Sequence, residues 1–299
     1  MLSLGIDVGS TTTHGVVLDE SQVVEEYAIP TRRGDEGVTA VLLDVARTLA
    51  SKMGITPKDF GAVGVGIPGV VNRETGEITR AVNLRIDYMP LRSRVADEFS
   101  VPVRLDNDVK ATVVAVGQRL GSDSVTFVNF GTGVAAATLV GQVIRGRRNL
   151  AGEIGHIVLN PNGDPCRCGQ RGCIETTIGG SYVAPRMEML ELDWTTLNTS
   201  IEPAGKAAFD QAVRAFSRVA AIVALAYAPD HIVFGGGVVN AAPWILPEVK
   251  KFLIDRAQIA TFPDYEEIAG QLSVLDPDFP AAAIGAALVG QDWAEGHRP

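Results

Sequence analysis

Apolar stretches broken by small-residue turns open the chain. Residues 2–7 run apolar to Asp7, and two further stretches cover 15–18 and 23–29, with Gly9–Thr13 and Asp19–Ser21 between them. Strand-length runs bounded by turn residues predict a three-strand antiparallel meander. Apolar positions 38, 41, 42, 45, 46, 49 and 53 share one helical face and predict a helix over 36–53. The pattern then predicts a strand over 62–67, a hairpin over 70–78, a helix over 91–99, a short buried strand over 101–105 and a helix over 109–119. A second meander begins at 124–130 and runs to 144. Helices are predicted from Gly179-Gly180 to Leu190 and over 205–228, 243–259 and 281–293, with strands over 231–234 and 271–275. The second half of the 205–228 helix is apolar on all sides, which predicts burial between layers. The tail after Trp293 reads as frayed.

The two meanders echo each other. Each has an apolar strand, a turn of glycine and hydroxyl residues, and two more apolar strands. Such a repeat predicts two related halves, each presenting one small-residue loop. Two GxGxx[GA] matches, Gly64-x-Gly66-x-x-Gly69 and Gly131-x-Gly133-x-x-Ala136, do not open helices, as a dinucleotide fingerprint must; a hairpin and a strand follow instead.

The chain has 299 residues, 46% hydrophobic and 20% charged, which suits a globular protein of two domains. A net charge of −9 speaks against a nucleic-acid or anionic-membrane surface, though not against phosphate held locally by backbone amides and a metal. The longest apolar run, Val219–Ala228, is ten residues, too short for a bilayer. No signal peptide is expected at the N-terminus, and reduced cysteines point to the cytoplasm. P-loop, protein-kinase and Gly-x-Ser-x-Gly signatures are absent. His14 and His297 have no evident partner and are assigned no role.

All three cysteines lie within eight residues, Cys166-x-Cys168-x4-Cys173, ten residues after Glu153-Ile-Gly-His156. Three thiolates and an imidazole are a closed tetrahedral zinc set, so His156, Cys166, Cys168 and Cys173 are expected to hold a structural zinc. The plain alternative is three buried thiols beside an unrelated histidine. Glu153 and Glu175 flank the ligands and are candidates to accept hydrogen bonds from hydroxyls; the alternative is two solvated loop acids.

Other positions carry chemistry as well. Gly9-Ser10-Thr11-Thr12 after Asp7 lets amides and hydroxyls approach phosphate oxygens, and Asp7 is a candidate to hold magnesium through water; a polar hairpin turn is the alternative. Asp106-Asn107-Asp108 stands at a strand end before a helix, where plain N-capping competes with catalysis. Gly235-Gly236-Gly237 after a buried strand suggests close approach to a ligand, or a mere turn.

Glu153-x-Gly-His156 followed by Cys166-x-Cys168-Gly-x-x-Gly-Cys173-x-Glu175 resembles the signature of the ROK family of sugar kinases and sugar-responsive repressors. The Asp7–Thr12 turn resembles the first phosphate loop of the wider actin, Hsp70 and hexokinase superfamily. The resemblance implies an α/β fold of two duplicated, ribonuclease H-like lobes with a nucleotide and sugar cleft between them. It implies a smaller lobe over 1–110, joined by the helix over 281–299, and a larger zinc-bearing lobe over 111–280. It implies transfer of the γ-phosphoryl of MgATP to a sugar, glucose first, with other hexoses and N-acetylhexosamines as alternatives. Asp108 would be the general base. Gly69, Asn83, Asn107, Asp108, Glu153, His156 and Glu175 would bind the sugar. Asp7, Gly9, Ser10, Thr11 and Thr12, the loop Gly131, Thr132 and Gly133, and the run Gly235, Gly236 and Gly237 would bind the nucleotide. Lys110 stands where the family usually has Asn. Partners would be sugar and ATP, without nucleic acid or membrane, in a homodimer or homotetramer. A family repressor would need a preceding helix-turn-helix, for which a strand starting at residue 2 is expected to leave no room. A silent sugar-binding protein is the third reading.

Overall fold

The computed structural model describes residues 1–294. The predicted tail beyond, His297 included, lies outside the described residues. The chain divides into two compact units.

The first unit comprises Met1–Asp123, Gly141–Ala151 and the stretch from Pro280. The meander is present as β1 (Leu2–Val8), β2 (Thr12–Asp19) and β3 (Gln22–Pro30). Helix α1 (Asp35–Lys52) follows, burying Val38, Val41, Leu42, Val45, Ala46 and Leu49 on the face that periodicity singled out. Then come β4 (Ala62–Ile67), the small sheet of β5 (Val70–Asn72), β6 (Glu77–Ala81) and β7 (Ile86–Met89), helix α2 (Leu91–Val95), β8 (Val103–Asn107) and α3 (Asp108–Leu120). The main sheet has the order β3-β2-β1-β4-β8, with β1, β4 and β8 parallel. His14, on β2, meets Glu26 on β3 at 3.3 Å, a partner the sequence did not suggest.

In the second unit, Ser124–Val140 and Gly152–Phe279, the topology repeats. Strands β9 (Ser124–Phe130) and β10 (Val134–Val140) form the hairpin, and the two-residue β11 (Gln142–Val143) follows where the chain returns to the first unit. Short helices α4 (Ile174–Ile178) and α5 (Gly180–Met189) lead to the long α6 (Pro203–Tyr227). After it come β12 (His231–Gly235), α7 (Gly237–Asn240), α8 (Ile245–Ala257), α9 (Tyr265–Gln271) and β13 (Leu272–Val274). Within this unit the strand order is β10-β9-β12-β13, with β9, β12 and β13 parallel, as β2-β1-β4-β8 run in the first unit, so the echo read in the sequence is a repeated topology. Phe130 packs against Phe216 and Phe234 at ring separations of 4.6 and 4.9 Å, joining both sheet strands to α6.

Two expectations are corrected. Helix α6 is not buried all round: Arg214 and Arg218 face solvent and Leu225 is 55% exposed, because one face alone meets the sheet. Helix α3, expected in the second lobe, belongs to the first unit because α10 (Ala281–Ala294) packs on it. A Cβ on Gly285 would overlap the Ala111 carbonyl oxygen of α3, and one on Gly64 would overlap the Ala286 carbonyl oxygen. The small residues of α10 and the glycines of β4 thus allow backbone-to-backbone contact. The first glycine of the rejected dinucleotide pattern serves this packing. Among the described residues no helix is long and apolar enough to cross a membrane.

Candidate functional site

In the first unit, the register of the parallel strands gathers the acidic residues. Asp7 at the end of β1 pairs with Gly66, which pairs with Asp106, and Ile67 pairs with Asn107. Ligands of open α/β sheets bind at these carboxyl ends. Asp7 is half-buried, and its Oδ1 is buried without a hydrogen-bond partner. Burial, with the charge of Asp108 behind it, pushes the Asp7 carboxyl up to about 8. Two carboxylates so close, one with an orphaned oxygen, fit a divalent cation held on the Asp7 side. Asp108 is half-buried in the first turn of α3, at the positive end of the helix dipole.

Asn107 is the helix cap: its Oδ1 accepts from the Val109 and Lys110 amides at 3.2 and 3.4 Å. Its Nδ2 lies 3.5 Å from the Gly69 carbonyl oxygen. The capping role left open in the sequence therefore holds for Asn107, and it orients the side chain toward the turn at Gly69. Gly69 has φ +102, and a Cβ there would lie 2.9 Å from the Thr79 carbonyl oxygen, so the turn requires glycine. Asn83 is exposed on the turn Val82–Leu84 between β6 and β7.

Asp106, fully buried, was read in sequence only as part of a cluster. Its Oδ2 accepts from Arg145 Nε and Nη2 at 3.1 and 2.8 Å. Its Oδ1 accepts from Asn149 Nδ2 at 3.2 Å and from the Asn107 amide at 2.9 Å. Lys110, 2% exposed, donates to the Asn149 carbonyl at 3.1 Å. The 145–149 segment thus braces the strand end carrying Asn107 and Asp108. Nothing in the local sequence marks Arg145 or Asn149 as a partner of a residue 39 or 43 positions away.

The first loop is closed by hydrogen bonds. Gly9 donates to the Thr12 carbonyl at 3.0 Å, and Thr31 Oγ1 donates to the Gly9 carbonyl at 2.8 Å. Ser10 is half-buried, and Thr11 and Thr12 are exposed.

In the second unit, Gly131, Thr132 and Gly133 form the matching loop. The amides of Gly180 and Ser181, at the start of α5, donate to the Gly131 and Thr132 carbonyls at 2.9 Å each. Gly236 (φ +93) turns the Gly235–Gly237 run into α7. Asn129 lies between the two loops: a Cβ on Gly131 would come within 3.3 Å of its Nδ2, and one on Gly236 would overlap its Oδ1. The internal echo could have found it, because Asn129 precedes Gly131 as Asp7 precedes Gly9.

The cysteine segment folds as one cluster. The ligand atoms of His156, Cys166, Cys168 and Cys173 all lie within 4.8 Å of one another. His156 Nδ1 is 3.7 Å from Cys166 Sγ, and the sulfurs of Cys168 and Cys173 are 3.7 Å apart. Corners of a tetrahedron about 2.3 Å from a central zinc lie roughly 3.8 Å apart, so the donor set fits the ion. Gln170 holds the Cys168 thiol down to about 6, while burial pushes Cys173 up to about 12. A cation that accepts thiolates would resolve that opposition. Cys173 is the residue before α4, which carries Glu175, and His156 ends the turn that follows Glu153. The cluster therefore clips together the two short elements bearing both glutamates. Glu153 is exposed; Glu175 is half-buried, and its Oε2 accepts from the Val134 amide at 3.1 Å, tying it to the second loop.

Comparison with known proteins gives this arrangement its context. The ROK family matches residues 3–289. The glucokinase of Halalkalibacterium halodurans is 31% identical over 83% of this chain and 84% of its own length. The N-acetylmannosamine kinase of Haemophilus influenzae is 27% identical over 85% and 86%. The xylose repressor of Caldicellulosiruptor bescii is 31% identical over 58% of this chain and 45% of its own length. Among solved structures, the ROK hexokinase of Thermus thermophilus aligns with a TM-score of 0.81 at 26% identity, over 99% of both chains. A ROK glucokinase of Streptomyces griseus, solved with glucose and AMPPNP, aligns with a TM-score of 0.76 at 24% identity, over 98% of this chain and all of that one. The fold is the actin-like sugar-kinase fold, and with the family matching nearly end to end, this chain is a member of the ROK family.

Proposed function

We propose that this protein is an ATP-dependent sugar kinase that converts glucose to glucose 6-phosphate, with Asp108 as general base. The observation that carries the reading is the alignment of Asp7, Asn107 and Asp108 at the carboxyl ends of β1 and β8, within the ROK framework. Phosphoryl transfer asks the protein for position and charge more than for covalent chemistry. Asp108 takes the proton of the attacking hydroxyl as its oxygen bonds to phosphorus and the bond to ADP breaks. Asn107, Asn83 and the bare backbone at Gly69 orient the sugar from the first unit. Glu153, Glu175 and the Nε2 of His156 are the second unit's hydroxyl partners. Asp7 is the residue that would hold magnesium, which when bound supplies positive charge for the phosphates. Gly9–Thr12 and Gly131–Gly133 take the phosphates, and Gly235–Gly237 lies against adenosine. The zinc is structural, since protein fills all four positions. Three unpaired cysteines support a reducing, cytoplasmic setting. Assembly as a homodimer or homotetramer belongs to the same proposal and is read by sedimentation.

An ADP-release assay with MgATP against hexoses and N-acetylhexosamines tests the reading. Glucose is expected to give the highest kcat/KM. Turnover confined to N-acetylmannosamine would keep the kinase and replace the substrate. No turnover on any sugar, with zinc bound, would leave a sugar-binding or regulatory protein.

A further inference from the structure

Helix α10 lies directly on the sheet of the first unit. A Cβ on Gly5 of β1 would overlap the Ala283 carbonyl oxygen, and one on Gly64 of β4 would overlap the Ala286 carbonyl oxygen. A Cβ on Gly290, within α10 itself, would lie 2.9 Å from the Val63 carbonyl carbon. Sheet and helix backbones therefore touch along β1 and β4, and α10 cannot yield toward the sheet.

The contact with α3 is as close. Glycine is, after proline, the least favourable residue inside a helix, so Gly285 is answered by packing. A Cβ there would overlap the Ala111 carbonyl group and come within 3.2 Å of the Thr112 amide nitrogen, and both residues are buried. Thr112 stands one turn after Asp108, and its Oγ1 donates to the Asp108 carbonyl at 2.8 Å. At the start of α3, a Cβ on Gly66 of β4 would lie 3.5 Å from the Asp108 Cα and 3.8 Å from the Ala282 carbonyl oxygen of α10. The backbone of Asp108 is thus fixed by β4, by α10 and by Thr112 of its own helix.

We propose that Gly285 and Thr112 are positioning residues for Asp108. Gly285 sets how closely α3 approaches α10, and Thr112 carries that distance to the Asp108 backbone. The catalytic consequence rests on the kinase reading above. Because the sheet blocks α10 on its other side, a methyl group at 285 has to push α3, and Asp108 moves away from the hydroxyl it deprotonates. Asn107 lies in β8, whose ladder to β4 the methyl does not touch, so its contact with the sugar is kept. A misplacement of about 1 Å at the reacting atoms costs up to about 10²-fold in rate.

Steady-state kinetics, thermal unfolding and crystal structures of four variants test it. Gly285→Ala is expected to lower kcat about 10–100-fold, with sugar KM within about threefold of wild type. Leu49→Ala opens a cavity in α1, which packs on β1, β2 and β3, and controls for lost stability. It should lower Tm at least as much and keep kcat within about twofold. Thr112→Val removes the hydroxyl and keeps the shape; it should lower kcat about threefold, and Thr112→Ser should keep the wild-type value. That pair holds the test open where Gly285→Ala does not fold. In the crystal structure of Gly285→Ala, the Asp108 Cα should move about 1 Å relative to Gly66. Were wild type to turn over no sugar, the kinase reading would fall, and this displacement would still decide the placement. An unmoved Asp108 would overturn it. So would a kcat within about twofold of wild type in Gly285→Ala, an equal loss of kcat in Leu49→Ala, or equal kcat in the two Thr112 variants.

Discussion

Asp7 and Asn129 hold the same place in the two units. Each stands two residues before the glycine that opens a loop, and each pairs with a glycine of the adjacent parallel strand, Gly66 and Gly235. The first is a carboxylate with an orphaned buried oxygen and a neighbouring acid. The second is an amide packed between Gly131 and Gly236. One repeated scaffold therefore carries an acid in one unit and a neutral amide in the other. The contrast extends to how each unit holds its polar residues. In the first, strand register and a buried Asp106 network set Asn107 and Asp108. In the second, Glu153 and Glu175 sit on short irregular elements that a Cys3His cluster clips together. Backbone ladders position one set; a cluster of side chains lies beneath the other.

Four experiments break or sharpen that comparison, from the largest expected effect to the smallest. Asp108→Asn removes the proposed base and keeps the side chain's size. It should lower kcat by about 10²–10⁴-fold while sugar binding, read by titration, persists. An unchanged kcat refutes the assignment.

Asp106→Asn attacks the register-based unit at its buried ion pair. Breaking such a pair costs on the order of 3–5 kcal/mol, so denaturant unfolding should show a clear loss of stability. A change under 1 kcal/mol would mean that strand register alone suffices.

Zinc removal by chelation, or Cys173→Ser, attacks the clipped unit instead. KM for the sugar should rise about 10–100-fold, as expected when contacts shift by an ångström. Hydrogen exchange should quicken over residues 153–175 and stay unchanged over 103–110. Equal quickening in both segments would erase the distinction drawn here.

Asp7→Asn makes the two equivalent positions alike. The native Asp7 carboxyl is raised to about 8, so between its unfolded value near 4 and that point the folded state holds a proton the unfolded chain lacks. Its contribution to stability is thus complete at low pH and falls as pH rises from 4 to 8. Relative to wild type without magnesium, the variant should gain on the order of 1–2 kcal/mol at pH 8, about 2–6 °C in Tm, and little at pH 4. A shift independent of pH would remove the titration from the account. Magnesium-dependent turnover should fall in the same variant.

Much of this fold is legible in the sequence. Strand β4 and helix α1 follow from short-range patterns: an apolar run ending in Pro68-Gly69, and one helical apolar stripe. Helices α4, α7 and α9, of five, four and seven residues, are too short for a periodic signal and were not foreseen. The clustering of His156, Cys166, Cys168 and Cys173 was legible because they lie within eighteen residues, so spacing alone limits their geometry. The extent of burial of α6 was not, since composition cannot say which face meets a sheet.

By itself the sequence determined the two meanders, the paired small-residue loops, the Cys3His set and the acidic end of β8. Each depends on neighbours along the chain, where periodicity, turn chemistry and ligand spacing act. Tertiary structure alone decided the rest. It made Asp106 a buried partner of Arg145 and Asn149, placed Asn129 between two glycine loops, and tied Glu175 to Val134. It joined α3 to the first unit through α10. These contacts link residues tens of positions apart, and their partners are chosen by packing and by the need to satisfy buried charge, which no local pattern encodes.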